Sequence, residues 1–136
     1  MRHAFCAALA AAMVTLPAAG IAETAFQLSG AWATDPDNCG KIFAKKGNAV
    51  VFSDASDLYG SGFIVDGKKI VGKSGRCTID TMKDDGSTIN LLASCASEIM
   101  YQNIQFSLKI TTADAIVRMF PGLPDIAISF YRCPVR

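Results

Sequence analysis

The sequence predicts an all-β fold: about eight antiparallel strands, joined in chain order and closed into an up-and-down barrel, with one short helical turn and two disulfides. Three observations carry this expectation. Turn-forming residues recur roughly every ten residues after position 22, the spacing of short strands in all-β domains. From Ile104 to Ile110, apolar Ile104, Phe106, Leu108 and Ile110 alternate with Gln105, Ser107 and Lys109, a period of two that turns one face to a core and the other to water. Asp66-Gly67 and Asp85-Gly86 each stand between short apolar runs, a strong hairpin signal. Closing such a sheet removes the edges that a soluble domain otherwise has to protect.

Residues 1–22 read as a cleaved signal peptide. Arg2 and His3 give a basic start, Ala4 to Ala19 is almost wholly apolar, and Gly20 and Ala22 precede a cut between Ala22 and Glu23 in the small-x-small pattern. The apolar run approaches the length of a membrane anchor, but Pro17, Gly20 and the small-residue cut favour cleavage. Cys6 lies too early for a lipobox. The expectation is therefore an exported chain, periplasmic rather than extracellular, with no stable membrane insertion after cleavage. Residues 23–136 form one domain, since no repeat, linker or charge block divides them.

Along that domain the first strand is expected over Phe26 to Ala33. A helical turn follows within Pro36 to Lys46, with Asp35 as its cap. Further strands cover Ala49 to Phe52, Phe63 to Val65, Lys69 to Val71, Cys77 to Ile79, Ile89 to Leu91, Ile104 to Ile110, Ala115 to Phe120 and Ala127 to Cys133.

Beyond the leader stand four cysteines, Cys39, Cys77, Cys95 and Cys133, and an even number in an exported chain argues for two disulfides among three formal connectivities. Cys77 and Cys95 flank the turn Lys83 to Ser87 almost symmetrically, which places them together across a hairpin and leaves Cys39 with Cys133. A zinc site would be the competing use, but no Cys-x-x-Cys spacing is present.

Removing the leader also removes Arg2 and the chain's one histidine, leaving 12 basic residues against 12 acidic ones and no imidazole. Histidine-dependent nucleophilic and acid–base catalysis are thereby excluded, together with the commonest transition-metal ligand. Near-zero net charge without a run of basic residues argues against nucleic acid as a partner. No cofactor, metal or catalytic residue is expected. Carboxylates alone can drive glycoside chemistry, but no framed pair is visible. Asp84 and Asp85 read as turn residues, and Asp35 to Gly40 fails as a calcium loop because Cys39 and Lys46 stand where ligands are required. Met82, Met100 and Met119 read as core filler. Lys73, Ser74 and Arg76 offer a small anion patch or a solvated strand face.

The segment Leu28-Ser29-Gly30-Ala31-Trp32 carries a Gly-x-Trp that resembles the opening of calycin barrels, the superfamily of lipocalins, avidins and bacterial metalloprotease inhibitors. The resemblance implies a lipocalin-like barrel in which Gly30 lets the chain turn tightly, Trp32 plugs one end and Arg132 lies over the indole. It also implies, in the inhibitor branch, an N-terminal trunk entering an enzyme's cleft, here Glu23, Thr24, Ala25, Phe26 and Gln27. Tyr59-Gly60-Ser61-Gly62 is loosely similar to loops of periplasmic lysozyme inhibitors, and makes Tyr59 and Ser61 candidate partner-binding residues. Two functions are expected in this order: a non-enzymatic binding protein whose partner is another protein, a hydrolase it inhibits; and a carrier of a small apolar ligand in the barrel interior, unless Phe106, Leu108, Ile110 and Phe130 fill that interior themselves.

Overall fold

A computed structural model of the protein describes residues 25–135; the expected signal peptide over residues 1–22, together with Glu23, Thr24 and Arg136, lies outside the described residues. Ten strands follow in order: β1 (Gly30–Ala33), β2 (Phe43–Lys46), β3 (Ala49–Phe52), β4 (Gly62–Asp66), β5 (Lys69–Val71), β6 (Gly75–Asp84), β7 (Thr88–Ser97), β8 (Tyr101–Thr112), β9 (Ala115–Met119) and β10 (Ala127–Cys133). Eight of them close into an antiparallel barrel in the order β1-β10-β9-β8-β7-β6-β5-β4, while β2 and β3 pair only with each other. The barrel is a meander with one excursion: between β1 and β4 the chain leaves the wall, forms a small lobe over residues 35–61 and returns.

The long hairpins follow from the turn chemistry. Gly67 and Lys68 form the two-residue loop between β4 and β5, one residue later than Asp66-Gly67, because Asp66 still pairs with Lys69. Gly67 takes φ 58°, a conformation that glycine adopts without steric cost. Between β6 and β7, Asp84 accepts from the Gly86 N–H, and Asp85 accepts from the Ser87 N–H, the Ser87 hydroxyl and the Thr88 N–H. The two aspartates are turn residues, as their adjacency suggests.

Alternation sorts the side chains into two cores. Ile89, Leu91, Ala93 and Cys95 of β7 are buried, and β8 sends Ile104, Phe106, Leu108 and Ile110 to the same interior. Trp32, Val65, Ile70, Ile116 and Phe130 complete that inner core. The opposite face of β1 is also buried: Ala31 and Ala33 pack outward with Ile64 and Cys133 against Ile42 and Phe43 of the lobe. Two methyl groups flanking an indole let one short strand serve both cores.

The lobe departs from the sequence expectation. Within Pro36 to Lys46 helical structure covers a 3-10 turn at Pro36–Asn38, capped by Asp35 through the Asp37 N–H, and one α-turn, α1 (Cys39–Ile42). It stops there, short of Lys46, because Phe43 to Lys46 pairs with Ala49 to Phe52 across a Gly47-Asn48 loop, with the Phe43 and Phe52 rings 5.2 Å apart. The Ala49 to Phe52 strand is thus real but lies outside the barrel. The first strand begins at Gly30 instead of Phe26, since residues 26–29 cross the barrel end, where the Leu28 carbonyl accepts a 2.8 Å hydrogen bond from the Trp32 indole.

Both disulfides pair as expected. Cys39–Cys133 ties the lobe to the last strand across 94 residues, and Cys77–Cys95 joins directly opposite positions of β6 and β7, with Cα atoms 4.0 Å apart. Among the described residues no helix is long and apolar enough to cross a membrane.

Candidate functional site

The two ends of the barrel differ. At one end, residues 26–29 and the turns after β4, β6 and β8 gather around Trp32, which is fully buried. The Arg132 guanidinium carbon lies 4.4 Å from the indole centroid. Arg132 donates to the Ser29 carbonyl at 2.8 Å, to Asp114 Oδ1 at 3.0 Å and to the carbonyls of Ala113 and Gln27. Gly30 makes room for this cap: its φ is 136°, and a Cβ there would stand 3.0 Å from Arg132 Nη1. Phe26 packs beside Trp32, 6.1 Å between ring centroids. This end is closed by stacking and by hydrogen bonds that use most of one guanidinium's donors.

The other end opens into the barrel. A cavity of about 370 Å³ descends from the turns after β5 and β7 to Leu28, between walls formed by Val65, Ile70, Leu91, Leu108 and Phe130. It exists because the inward positions near the mouth carry little bulk: Gly75 begins β6, and the next inward pair across β6 and β7 is the Cys77–Cys95 disulfide, which lines the cavity. Phe106, Leu108 and Phe130 therefore shape the interior without filling it. Its size lies at the lower end of the range for small-molecule pockets, and such pockets combine apolar walls with a few placed polar groups.

The polar groups stand at the mouth. Ser61, Ser74, Ser97 and Gln102 are joined there by one inward-facing arginine, Arg118, and no carboxylate lines the cavity; Arg76, next to inward-facing Cys77, takes the opposite parity and turns to the outer face of the barrel. Arg118 pairs with inward-facing Leu108 across β8 and β9, so its side chain enters the interior. Its guanidinium carbon lies 4.6 Å from the Phe106 ring centroid and 4.6 Å from that of Phe120. Among the described residues it makes no side-chain hydrogen bond and has no carboxylate within salt-bridge distance; the two ion pairs present are Lys73–Asp57 and Arg132–Asp114. Burial pushes the Arg118 guanidinium below its ordinary pKa, a mark of a cation drawn partly out of water.

The candidate residues from the sequence fall at several places. Gly30, Trp32 and Arg132 come together at the closed end, as described. Ser61 stands on the cavity mouth, whereas Tyr59 lies on the lobe, its ring 4.9 Å from Lys41 Nζ and its carbonyl accepting from Asn38. Of the trunk residues, Glu23 and Thr24 lie outside the described residues, Ala25 is exposed, and Phe26 is half-buried against the closed end. Lys73 does not join an anion patch: its ammonium donates to the Ser53 and Asp54 carbonyls and pins the β3–β4 connection to the turn before β6. Met82 and Met100 are not core filler, being 58% and 54% exposed: Met82 lies in β6 past the bulge between Ile79 and Thr81, and Met100 lies in the β7–β8 turn, where it lines the cavity mouth.

Arg118 escaped the sequence reading. In Ala-Ile-Val-Arg-Met-Phe every neighbour is apolar, so period two gives no parity, and only pairing with β8 decides which residues point inward. The available signal was a single charge within a six-residue apolar strand. Comparisons with protein-family models, curated proteins and solved structures found no match for this chain.

Proposed function

We propose that this protein is an exported carrier that holds a small apolar molecule inside its barrel. The observation that carries this reading is the open, apolar cavity of about 370 Å³ above Leu28, in an interior whose other end is sealed by Trp32 and Arg132. Two disulfides suit an oxidising compartment, and the Gly30-x-Trp32 opening with Arg132 over the indole supports likeness to the lipocalin branch of calycin barrels.

Native mass spectrometry of protein gently isolated from its own compartment tests this reading, together with titration of the purified protein with the neutral fluorophore N-phenyl-1-naphthylamine. The carrier reading expects a bound small mass and saturable 1:1 uptake of the fluorophore. Ile104→Trp, which adds bulk at the cavity wall, should weaken that uptake at least about tenfold while the unfolding transition stays cooperative. A ligand-free 1:1 complex with another protein, with no uptake of the fluorophore, would overturn it in favour of hydrolase inhibition through the N-terminal residues.

A further inference from the structure

Resting on that reading, we propose that the carried molecule is an anionic amphiphile, a compact hydrocarbon bearing one carboxylate, and that Arg118 binds its head group at the cavity mouth.

Three features of the Arg118 site favour an anionic head group. Among the residues lining the cavity the ionisable side chain that faces inward is Arg118, with no acid to offset it. Arg118 faces inward and is without a protein acceptor among the described residues, whereas the barrel's other inward-lying arginine, Arg132, donates to three carbonyls and Asp114. A partly buried cation of this kind is stabilised when an anion supplies the missing acceptors. Thirdly, the Phe106 and Phe120 rings hold the guanidinium at 4.6 Å each, which orders its planar fork and lowers the entropy cost of bidentate pairing.

The rest of the ligand follows from the walls. Beneath Arg118 the interior offers hydrocarbon down to Leu28, and a volume near the lower end of the small-molecule range suits a medium-length chain better than a branched or multi-ring body. Ser61, Ser74 and Ser97 stand at the rim, where a head group remains in contact with water. A neutral ligand would leave Arg118 unpaired, and a cationic one would meet it with repulsion.

The experiment compares decanoate, decanol and decyltrimethylammonium by isothermal titration into the full mature protein at low ionic strength, with wild type, Arg118→Met and Arg118→Lys. Arg118→Met keeps a flexible apolar stem against Phe106 and Phe120, and Arg118→Lys keeps the charge without the fork. Expected are decanoate binding about 10- to 100-fold tighter than decanol, no binding of the ammonium, and loss of the decanoate preference in Arg118→Met with decanol affinity unchanged. Arg118→Lys should retain a smaller preference that added salt erodes. Equal affinity for decanoate and decanol in wild type would overturn the head-group assignment while leaving the carrier reading intact. Absence of binding by all three would overturn both. Should Arg118→Met not fold, the wild-type order of the three ligands and the Arg118→Lys salt dependence decide alone.

Discussion

Arg132 lies over Trp32, 4.4 Å from guanidinium carbon to indole centroid, and its donors are shared among the Ser29, Gln27 and Ala113 carbonyls and Asp114. One side chain on the last strand thus clamps the start of the first strand and the β8–β9 turn. Arg132→Lys leaves a charge but neither the plane nor the fork, and is expected to cost about 2 kcal/mol. Trp32→Ala removes the largest buried side chain and is expected to cost about 3–5 kcal/mol, with ligand uptake lost only in step with unfolding. Urea denaturation of both variants measures this; an Arg132→Lys as stable as wild type would show that stacking alone closes that end.

The two disulfides should differ in worth. Chain-entropy arguments give about 3 kcal/mol for a loop the size of that closed by Cys77–Cys95 and nearer 4.7 kcal/mol for the long one closed by Cys39–Cys133. Replacing each pair by serine and comparing denaturation midpoints should rank the Cys39–Cys133 deletion as the more damaging, since it also frees the lobe from β10. The native protein should contain no titratable thiol among these four cysteines, and reaction of folded material with a thiol reagent checks it.

Two glycines, Gly62 at the start of β4 and Gly40 in α1, offer a contrast. A Cβ on Gly62 would stand 2.5 Å from the Trp32 carbonyl oxygen and 2.9 Å from Phe43 Cζ, so Gly62→Ala forces backbone apart and should cost about 1–3 kcal/mol. Gly40 lies in α1 with nothing within 4 Å of the same added carbon, so Gly40→Ala should be neutral or stabilise by about 0.5 kcal/mol. Thermal melts of the two single variants should move in opposite directions or leave only Gly62→Ala shifted.

Acid should loosen the β6–β7 turn. The Ser87 N–H, the Thr88 N–H and the Ser87 hydroxyl hold the Asp85 carboxyl below its ordinary value of 3.8. A depressed folded pKa means that this contribution to stability is complete above the unfolded value and is lost as pH falls below it through the folded one. Asp85→Asn should therefore flatten part of the decline in stability between about pH 5 and pH 2, seen in urea midpoints collected across that range. A decline equally steep in the variant would show that other carboxyls account for it.

The sequence by itself determined the barrel, its hairpins and its covalent pairing. Local chemistry is enough for these: period two in Ile104–Ile110, glycine at tight turns, and cysteines placed symmetrically about one of them. Where local signals were even or pointed the other way, tertiary structure decided. Phe43 to Lys46, with Ala44, Lys45 and Lys46, leans helical by itself, and becomes β2 because Phe52 lies opposite Phe43 once the lobe folds against Ala31, Ala33 and Ile64. The parity of Ala115 to Met119 was open in a run of apolar neighbours until β8 paired with it and turned Arg118 inward. The cavity, too, belongs to the assembled barrel, since an empty volume is a property of walls brought together from every strand and of the small residues that happen to meet at one end.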